Sequence, residues 1–248
     1  MINIKTPAEI EYMRIANGIV RDLLLYMEEI VKEGVTTAYL DEKARAFIEK
    51  RGAKPSFLGY EGYPGSICTS IDDVVVHGIP NKHTYLQEGQ IIGMDVGTFI
   101  HGFNGDGART FAIGRISPEK QRLVDVTRES FFEGIKVLRD GVRLGDLSNA
   151  IQTYAESHGY SVVRELTGHG IGREMHEDPS VPNYGPAGHG VRLRSGMTIA
   201  IEPMINMGVK EVYMARDGWT VRTRDGKPSA HYENTVLITD EGVEILTL

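Results

Sequence analysis

Four acidic residues stand in otherwise apolar, strand-like surroundings. Asp95 lies in Gln90-Ile91-Ile92-Gly93-Met94-Asp95-Val96-Gly97, and Asp106 follows eleven residues on, in Phe103-Asn104-Gly105-Asp106. A turn near His101-Gly102 predicts a β-hairpin that sets the two acids close across its strands, to within a residue or so of register. Opposed Cβ atoms in such a pair sit ~5 Å apart, and like charges there destabilise the ladder. Two carboxylates ~4 Å apart repel by about 4 kcal/mol at an effective dielectric of 20. Glu202 ends the apolar run Met197–Ile201, where Pro203 stops strand pairing. Glu233 is the fourth acid, in His231-Tyr232-Glu233-Asn234-Thr235-Val236. Any one of them alone fits a salt bridge or a solvated position. Four together in apolar strands call for a compensating charge, and a divalent cation supplies it. Oxygen-rich sites suit magnesium, manganese, iron(II) or cobalt(II), and a histidine widens the choice toward transition metals.

Three histidines are candidates to join them. In Gly168-His169-Gly170-Ile171-Gly172 the imidazole is flanked by residues without side chains, which allows close approach of backbone or ligand. His176 follows seven residues later, in Met175-His176-Glu177-Asp178-Pro179, and His77 ends the β-branched run Val74-Val75-Val76. A structural or surface role explains any one of them. None has the His-x-x-x-His helical spacing of the zincin proteases.

The elements that must position these groups come in a repeating order. Thr6-Pro7-Ala8-Glu9 predicts a helix start, with Thr6 as N-cap, Pro7 in the first turn and Glu9 closing a capping box. Apolar residues recur at helical spacing through Leu24, and Gly34 ends the region. A second helix is expected from Thr37 to Lys50, then strands and hairpins over residues 53–114. Helical character returns after Ser117-Pro118 and runs through Val124, Phe131, Ile135 and Leu138. Another helix is expected from Leu144 to Ser157, and short strand-like runs fill the remainder. An offset of 107 positions superposes Gly34-Val35 on Gly141-Val142, Leu40 on Leu147, Gly52 on Gly159, Gly89 on Gly196 and Asp95 on Glu202. This predicts an internal duplication. Glu233 lies 127 positions beyond Asp106, so an insertion in the second half must absorb the difference. The architecture expected is α/β (α+β): one domain over residues 1–248, an N-terminal half of about 1–115, a C-terminal half of about 116–248, and a site at their seam.

Composition narrows the function classes. The 248 residues are 41% hydrophobic and 25% charged, ordinary for a soluble globular domain with a substantial core. A net charge of −7 argues against a general nucleic-acid binder. No apolar run approaches a membrane span, and the Met1 end reads as no signal peptide. Cys68 is the only cysteine, which excludes intrachain disulfides and cysteine-based zinc clusters and suits a reducing cytosol.

The set Val76-His77-Gly78-Ile79-Pro80, Asp95 with Asp106, Gly168-His169-Gly170-Ile171-Gly172, Glu202-Pro203 and Glu233-Asn234-Thr235 strongly resembles methionine aminopeptidase, type I. The resemblance begins at Thr6-Pro7 and covers nearly the whole chain. It implies the pita-bread fold, two pseudo-symmetric α/β halves around a curved antiparallel sheet. It also implies two divalent metal ions, drawn from cobalt, manganese, iron, zinc or nickel. Asp95 would bind one ion, His169 and Glu202 the other, with Asp106 and Glu233 bridging both. A metal-bridging hydroxide would attack the first peptide bond of a chain beginning with methionine and a small second residue. Glu202 would shuttle the proton, His176 steady the oxyanion and His77 contact the scissile nitrogen. Tyr60, Tyr63, Cys68 and Trp219 would form the methionine pocket beside Met175, a position where many members carry Phe. Cys68 would then be a handle for thiol-reactive inhibitors.

The resemblance implies a cytoplasmic monomer acting on nascent polypeptide N-termini, with at most transient ribosome contact. An aminopeptidase P or prolidase on the same fold is the nearest alternative, but these usually carry an extra N-terminal domain, and the catalytic-type sequence starts here at Thr6. A type II methionine aminopeptidase is disfavoured because no large helical insertion separates His176 from Glu202. A non-catalytic pita-bread binding protein would lack part of the five-ligand set.

Overall fold

The computed structural model describes residues 2–248. Helix α1 (Pro7–Ile30) starts on the capping box expected of Thr6 and Glu9, each closing on the other's backbone N–H. Helix α2 (Thr37–Lys50) follows, capped by the Thr36 hydroxyl. The first strands are β1 (Lys54–Pro55), β2 (Ile67–Ile71), β3 (Val74–Val76), β4 (Ile91–Ile100) and β5 (Phe103–Ala112). Helices α3 (Pro118–Ile135) and α4 (Leu144–Ser157) open the second half. Leu138 is buried in the core but lies beyond α3, because the chain leaves the helix at Ile135 through a tight turn.

The later strands are short. They are β6 (Ser161–Val162), β7 (Gly168–Gly170), β8 (Glu177–Val181), β9 (Thr198–Ile201), β10 (Met204–Asn206), β11 (Val212–Met214), β12 (Val221–Thr223), β13 (Ser229–His231), β14 (Glu233–Ile238) and β15 (Val243–Ile245). Nine strands, among the described residues, join in one antiparallel sheet of order β1-β4-β5-β14-β9-β7-β8, with β2 against β4 and β15 against β14. Two three-stranded sheets, β13-β10-β6 and β11-β12-β3, stand beside it.

The duplication is visible in the backbone. Helices α2 and α4 are both fourteen residues long and begin 107 positions apart. Gly34 and Gly141 share a φ of 83°, and Gly89 and Gly196 share 88°, a left-handed conformation that only glycine adopts without strain. The Gly34 N–H donates to Leu86 O at 2.9 Å, and the Gly141 N–H to Leu193 O at the same distance. Each half has its own core. In the first, Leu23, Leu40 and Ile48 pack on Ile92, Met94 and Val96; in the second, Phe131, Leu147 and Ile151 pack on Ile199, Ile201 and Val236. The 107-residue offset is lost between β9 and β14, where the second half makes an excursion through β10–β13. The first half has only the turn at His101-Gly102 there, with both residues at positive φ as a two-residue hairpin requires.

Helix α1 lies close on the β4–β5 hairpin. Thr98 Oγ1 donates to Ala16 O at 2.8 Å, and the Asp106 N–H donates to Asn17 Oδ1 at 3.2 Å. A Cβ on Gly105 would come within 2.7 Å of the Ala16 backbone. This contact fixes the strand that carries Asp106. Gly105→Ala is therefore expected to destabilise the fold by about 1–3 kcal/mol through overpacking. Gly18→Ala, with open space at the same helix, is the control and should be neutral or stabilising by up to ~1 kcal/mol. Urea unfolding of the two variants checks the contrast.

Candidate metal centre

Asp95 and Asp106 come from facing strands of one hairpin. Gly97 is directly opposite Asp106 and Ala108 opposite Asp95, so the two acids are offset by two residues rather than one. An even offset keeps both side chains on the same face of the sheet, as diagonal neighbours. Glu233 begins β14, antiparallel to β5, and Glu202 follows the last residue of β9, the other neighbour of β14. His169 sits on β7, opposite Ala200 of β9. Adjacent strands of a single sheet thus bring the five residues together.

The atoms converge. Ligand atoms of Asp106, His169 and Glu233 all lie within 4.8 Å of one another. His169 Nε2 is 3.5 Å from Asp106 Oδ2 and 3.8 Å from Glu202 Oε1. His169 Nδ1 meets the Gly170 carbonyl at 2.9 Å. A carbonyl only accepts, so the proton is on Nδ1 and the Nε2 lone pair faces the carboxylates. The flanking glycines matter here: a Cβ on Gly168 would lie 2.3 Å from Ala200 O, and one on Gly170 2.2 Å from Asp178 O. Close packing of strands around His169 excludes larger neighbours.

A cavity of about 150 Å³ opens above these groups, lined by all twelve residues singled out in the sequence. His77 stands at φ 59°, in the left-handed region, directly after β3. Thr69 N–H and Tyr63 OH both donate to Gly78 O, holding this strained corner in place. His176 Nδ1 pairs with Tyr60 OH at 2.7 Å, and the His176 ring packs edge-on against His169. Tyr63 meets Trp219 edge-to-face at 5.2 Å. Cys68 is the cross-strand partner of Asp95. Burial pushes its thiol well above the ordinary value, so the reactive thiolate is scarce.

A family model described as metallopeptidase family M24 matches residues 11–240. The chain belongs to that family. Methionine aminopeptidase from Clostridium acetobutylicum is 56% identical over 248 residues, covering 100% of this chain and 99% of its own. Methionine aminopeptidase from Escherichia coli K12 is 44% identical, covering 100% and 94%. The crystal structure of methionine aminopeptidase from Rickettsia prowazekii superposes with a TM-score of 0.98 at 44% identity, covering 100% of both chains. The pita-bread architecture implied by the motifs is thus the fold of this M24 member, and divalent metal use comes with the family.

The donor set of this M24 chain fits a cation. Asp95 Oδ1, Asp106 Oδ1 and Glu233 Oε1 are buried without a hydrogen-bond partner, a costly arrangement unless something positive satisfies them. Burial raises Asp95 to about 7, with the Glu202 charge adding to the shift and His231 opposing it. Burial raises Glu202 to about 8. Burial, with the Asp95 and Glu202 charges, pushes Asp106 well above the carboxylate range, and burial, with the Asp106, Glu202 and Asp95 charges, does the same to Glu233. Burial lowers His169 to about 4, which leaves it neutral and ready to donate its lone pair.

Sequence reasoning passed over the supporting groups. Phe57 and Glu61 also line the cavity. Arg109 donates to Glu233 O and Asn234 Oδ1, Thr235 Oγ1 to Asp106 O, and Asn183 Nδ2 to Glu202 O. His231, 3% exposed, faces Glu202 and Glu233. Its one sequence signal was its place two residues before Glu233.

The raised carboxyl groups set a pH dependence. Below a pH of about 6.5 the buried histidines oppose them, because the unfolded chain then takes up protons that the folded histidines refuse. Above it the histidines are neutral in both states, while folded Glu202, raised to about 8, still holds a proton that the unfolded chain has lost, and the upward shifts of Asp106 and Glu233 act in the same direction. The melting temperature of metal-free protein is therefore expected to fall from pH 6.5 to pH 8. Loading with cobalt(II) at pH 7 should reverse the fall and release protons, measured by calorimetry in buffers of different ionisation enthalpy. A metal-free melting temperature that climbs across this range would contradict the assignment.

Proposed function

We propose that this chain is a dinuclear metal-dependent methionyl aminopeptidase, which removes an N-terminal methionine from peptides and nascent chains whose second residue is small. The observation that carries this reading is the convergence of Asp95, Asp106, His169, Glu202 and Glu233 on the floor of one cavity walled by Tyr60, Tyr63, Cys68, Met175 and Trp219. Ligands come from both halves, which supports residues 1–248 working as one catalytic domain.

In this reading Asp95, Asp106, His169, Glu202 and Glu233 would together hold two divalent ions, with Asp106 and Glu233, central among the five, shared between them. Divalent ions bound there lower the pKa of water and polarise a carbonyl. The chain's own residues do the rest. The wall of buried Tyr63, Cys68 and Met175 and half-buried Trp219 takes up one unbranched apolar side chain, and Met175 adapts its shape to it. A cavity of about 150 Å³ suits a single side chain, which supports an exopeptidic reaction. Glu202, held near neutrality by burial, carries a proton from the attacking water to the departing amine. Burial raises the Tyr60 phenol, which keeps its proton and donates it to His176 Nδ1, leaving His176 Nε2–H free to steady the developing oxyanion. His77, neutral because burial lowers it to about 4, sits at its strained corner to meet the scissile nitrogen. A lone free thiol at Cys68 suits work in the reducing cytoplasm.

Release of methionine from Met-Ala-Ser tests the reading. Purified protein should be active with cobalt(II) or manganese(II), inactive after chelation, and inert toward residue–proline bonds. His169→Ala and Asp106→Asn should abolish turnover. His176→Ala should lower kcat about 10²–10³-fold with metal content unchanged. Full activity after thorough chelation would rule out the two-metal chemistry, and metal loss in His176→Ala would rule out its oxyanion role.

A further inference from the structure

His231 ends β13, and its backbone is clamped from both sides by one residue of β5. Thr110 Oγ1 donates to His231 O at 2.8 Å and accepts from His231 N–H at 3.0 Å. The next residue along β5 toward Asp106, Arg109, donates to Glu233 O. The imidazole is 3% exposed, and its Nε2 is a buried polar atom without a hydrogen-bond partner. That nitrogen points at two carboxylates, 3.5 Å from Glu202 Oε2 and 3.9 Å from Glu233 Oε2. Both distances exceed a hydrogen bond by a few tenths of an ångström, within reach of a small rotation of either acid.

The two oxygens of Glu202 are thus sorted. Oε1 faces His169 Nε2 at 3.8 Å, on the ligand side, and Oε2 faces His231 Nε2 on the other. With a cation bound and both acids ionised, two acceptors in front of His231 Nε2 require a hydrogen on it. Left to itself, a carboxylate beside a cation can turn both oxygens toward it or swing between them. A fixed donor behind one oxygen removes that freedom.

We propose that His231 is a positioning residue for the metal centre: its Nε2–H holds Glu202 Oε2, so that Glu202 presents Oε1 alone on the His169 side. This rests on the dinuclear reading above and adds a sixth side chain to it, one outside the lining of the site cavity. Outer residues that hold a metal-ligating group typically change metal affinity 10–100-fold when removed. The clamp by Thr110 belongs to the same device, because a donor that drifts with its strand would hold nothing.

The test uses the full-length protein stripped of metal and titrated with cobalt(II) chloride, followed by calorimetry and by the visible absorption of bound cobalt(II). His231→Leu fills similar space without a donor, and His231→Gln restores a neutral N–H donor. Wild-type protein should take up two ions. His231→Leu should bind cobalt(II) about 10–100-fold more weakly, with an altered visible spectrum and a metal-free melting temperature no lower than wild type. His231→Gln should recover most of the affinity and the wild-type spectrum. A merely structural histidine would instead lower the melting temperature and leave cobalt(II) affinity and spectrum unchanged. The proposal is overturned if His231→Leu titrates like wild type, or if His231→Gln is as weak as His231→Leu. Wild-type protein that took up no cobalt(II) would instead bring down the dinuclear reading itself.

Discussion

The mutual repulsion of four carboxyl groups gathered on one cavity floor is the constraint on which the rest of the structure depends. Burial and like charge both act against their ionised forms, and in the protein alone they hold protons near neutrality. A flexible scaffold would let such groups swing apart into solvent. Here each is held through its backbone. Asp106 is pinned by Asn17 and Thr235, Glu202 by Asn183, and Glu233 by the half-buried Arg109 guanidinium. The cation then enters a space that cannot relax away from it.

That rigidity follows from the duplicated architecture. Each half contributes a helix pair and a core that stiffens its own strands, and the ligands sit where the strands of one half meet those of the other. Asp106 and Glu233 lie on β5 and β14, the strands that join the halves through the pairs Glu233–Ala108 and Asn234–Gly107. Two of the acids that converge in the cavity are therefore the ones at the junction of the two halves. Any hinge between the halves would pull the centre apart, and α1 pressed against Gly105 works against such a hinge.

Much of this was legible in the sequence because it rests on short-range signals. The capping box at Thr6 and Glu9, the spans of α2 and α4 and the turn at His101-Gly102 all depend on residues within a few positions of one another. The convergence of Asp95, Asp106, His169, Glu202 and Glu233 in one cavity was legible because acids in apolar strands are anomalous, and the family motifs completed the set. The register of Asp95 against Asp106 was less so. Facing Gly97 rather than Asp95 across the ladder reflects a two-residue turn, and a one-residue error there would turn an acid to the opposite face. Residues that act at long range left almost no trace. Arg109, Thr110 and His231 read as ordinary strand residues, since their partners are more than a hundred positions away or become neighbours only once β13 has folded back on β5. Trp219 was found through resemblance alone, because nothing local marks a side chain at the tip of an excursion as part of a pocket wall.

That excursion divides labour along the chain. The five residues that converge in the cavity lie on the main sheet or directly at its end, before or after the excursion. The strand pair β11–β12, with Trp219 between them, leans on β3 just ahead of His77. Changes in the length or composition of this segment would reshape the pocket that chooses a side chain while leaving the carboxylates in register. The architecture separates recognition from reactivity, so lineages sharing the same inorganic core are free to diversify in what they cut.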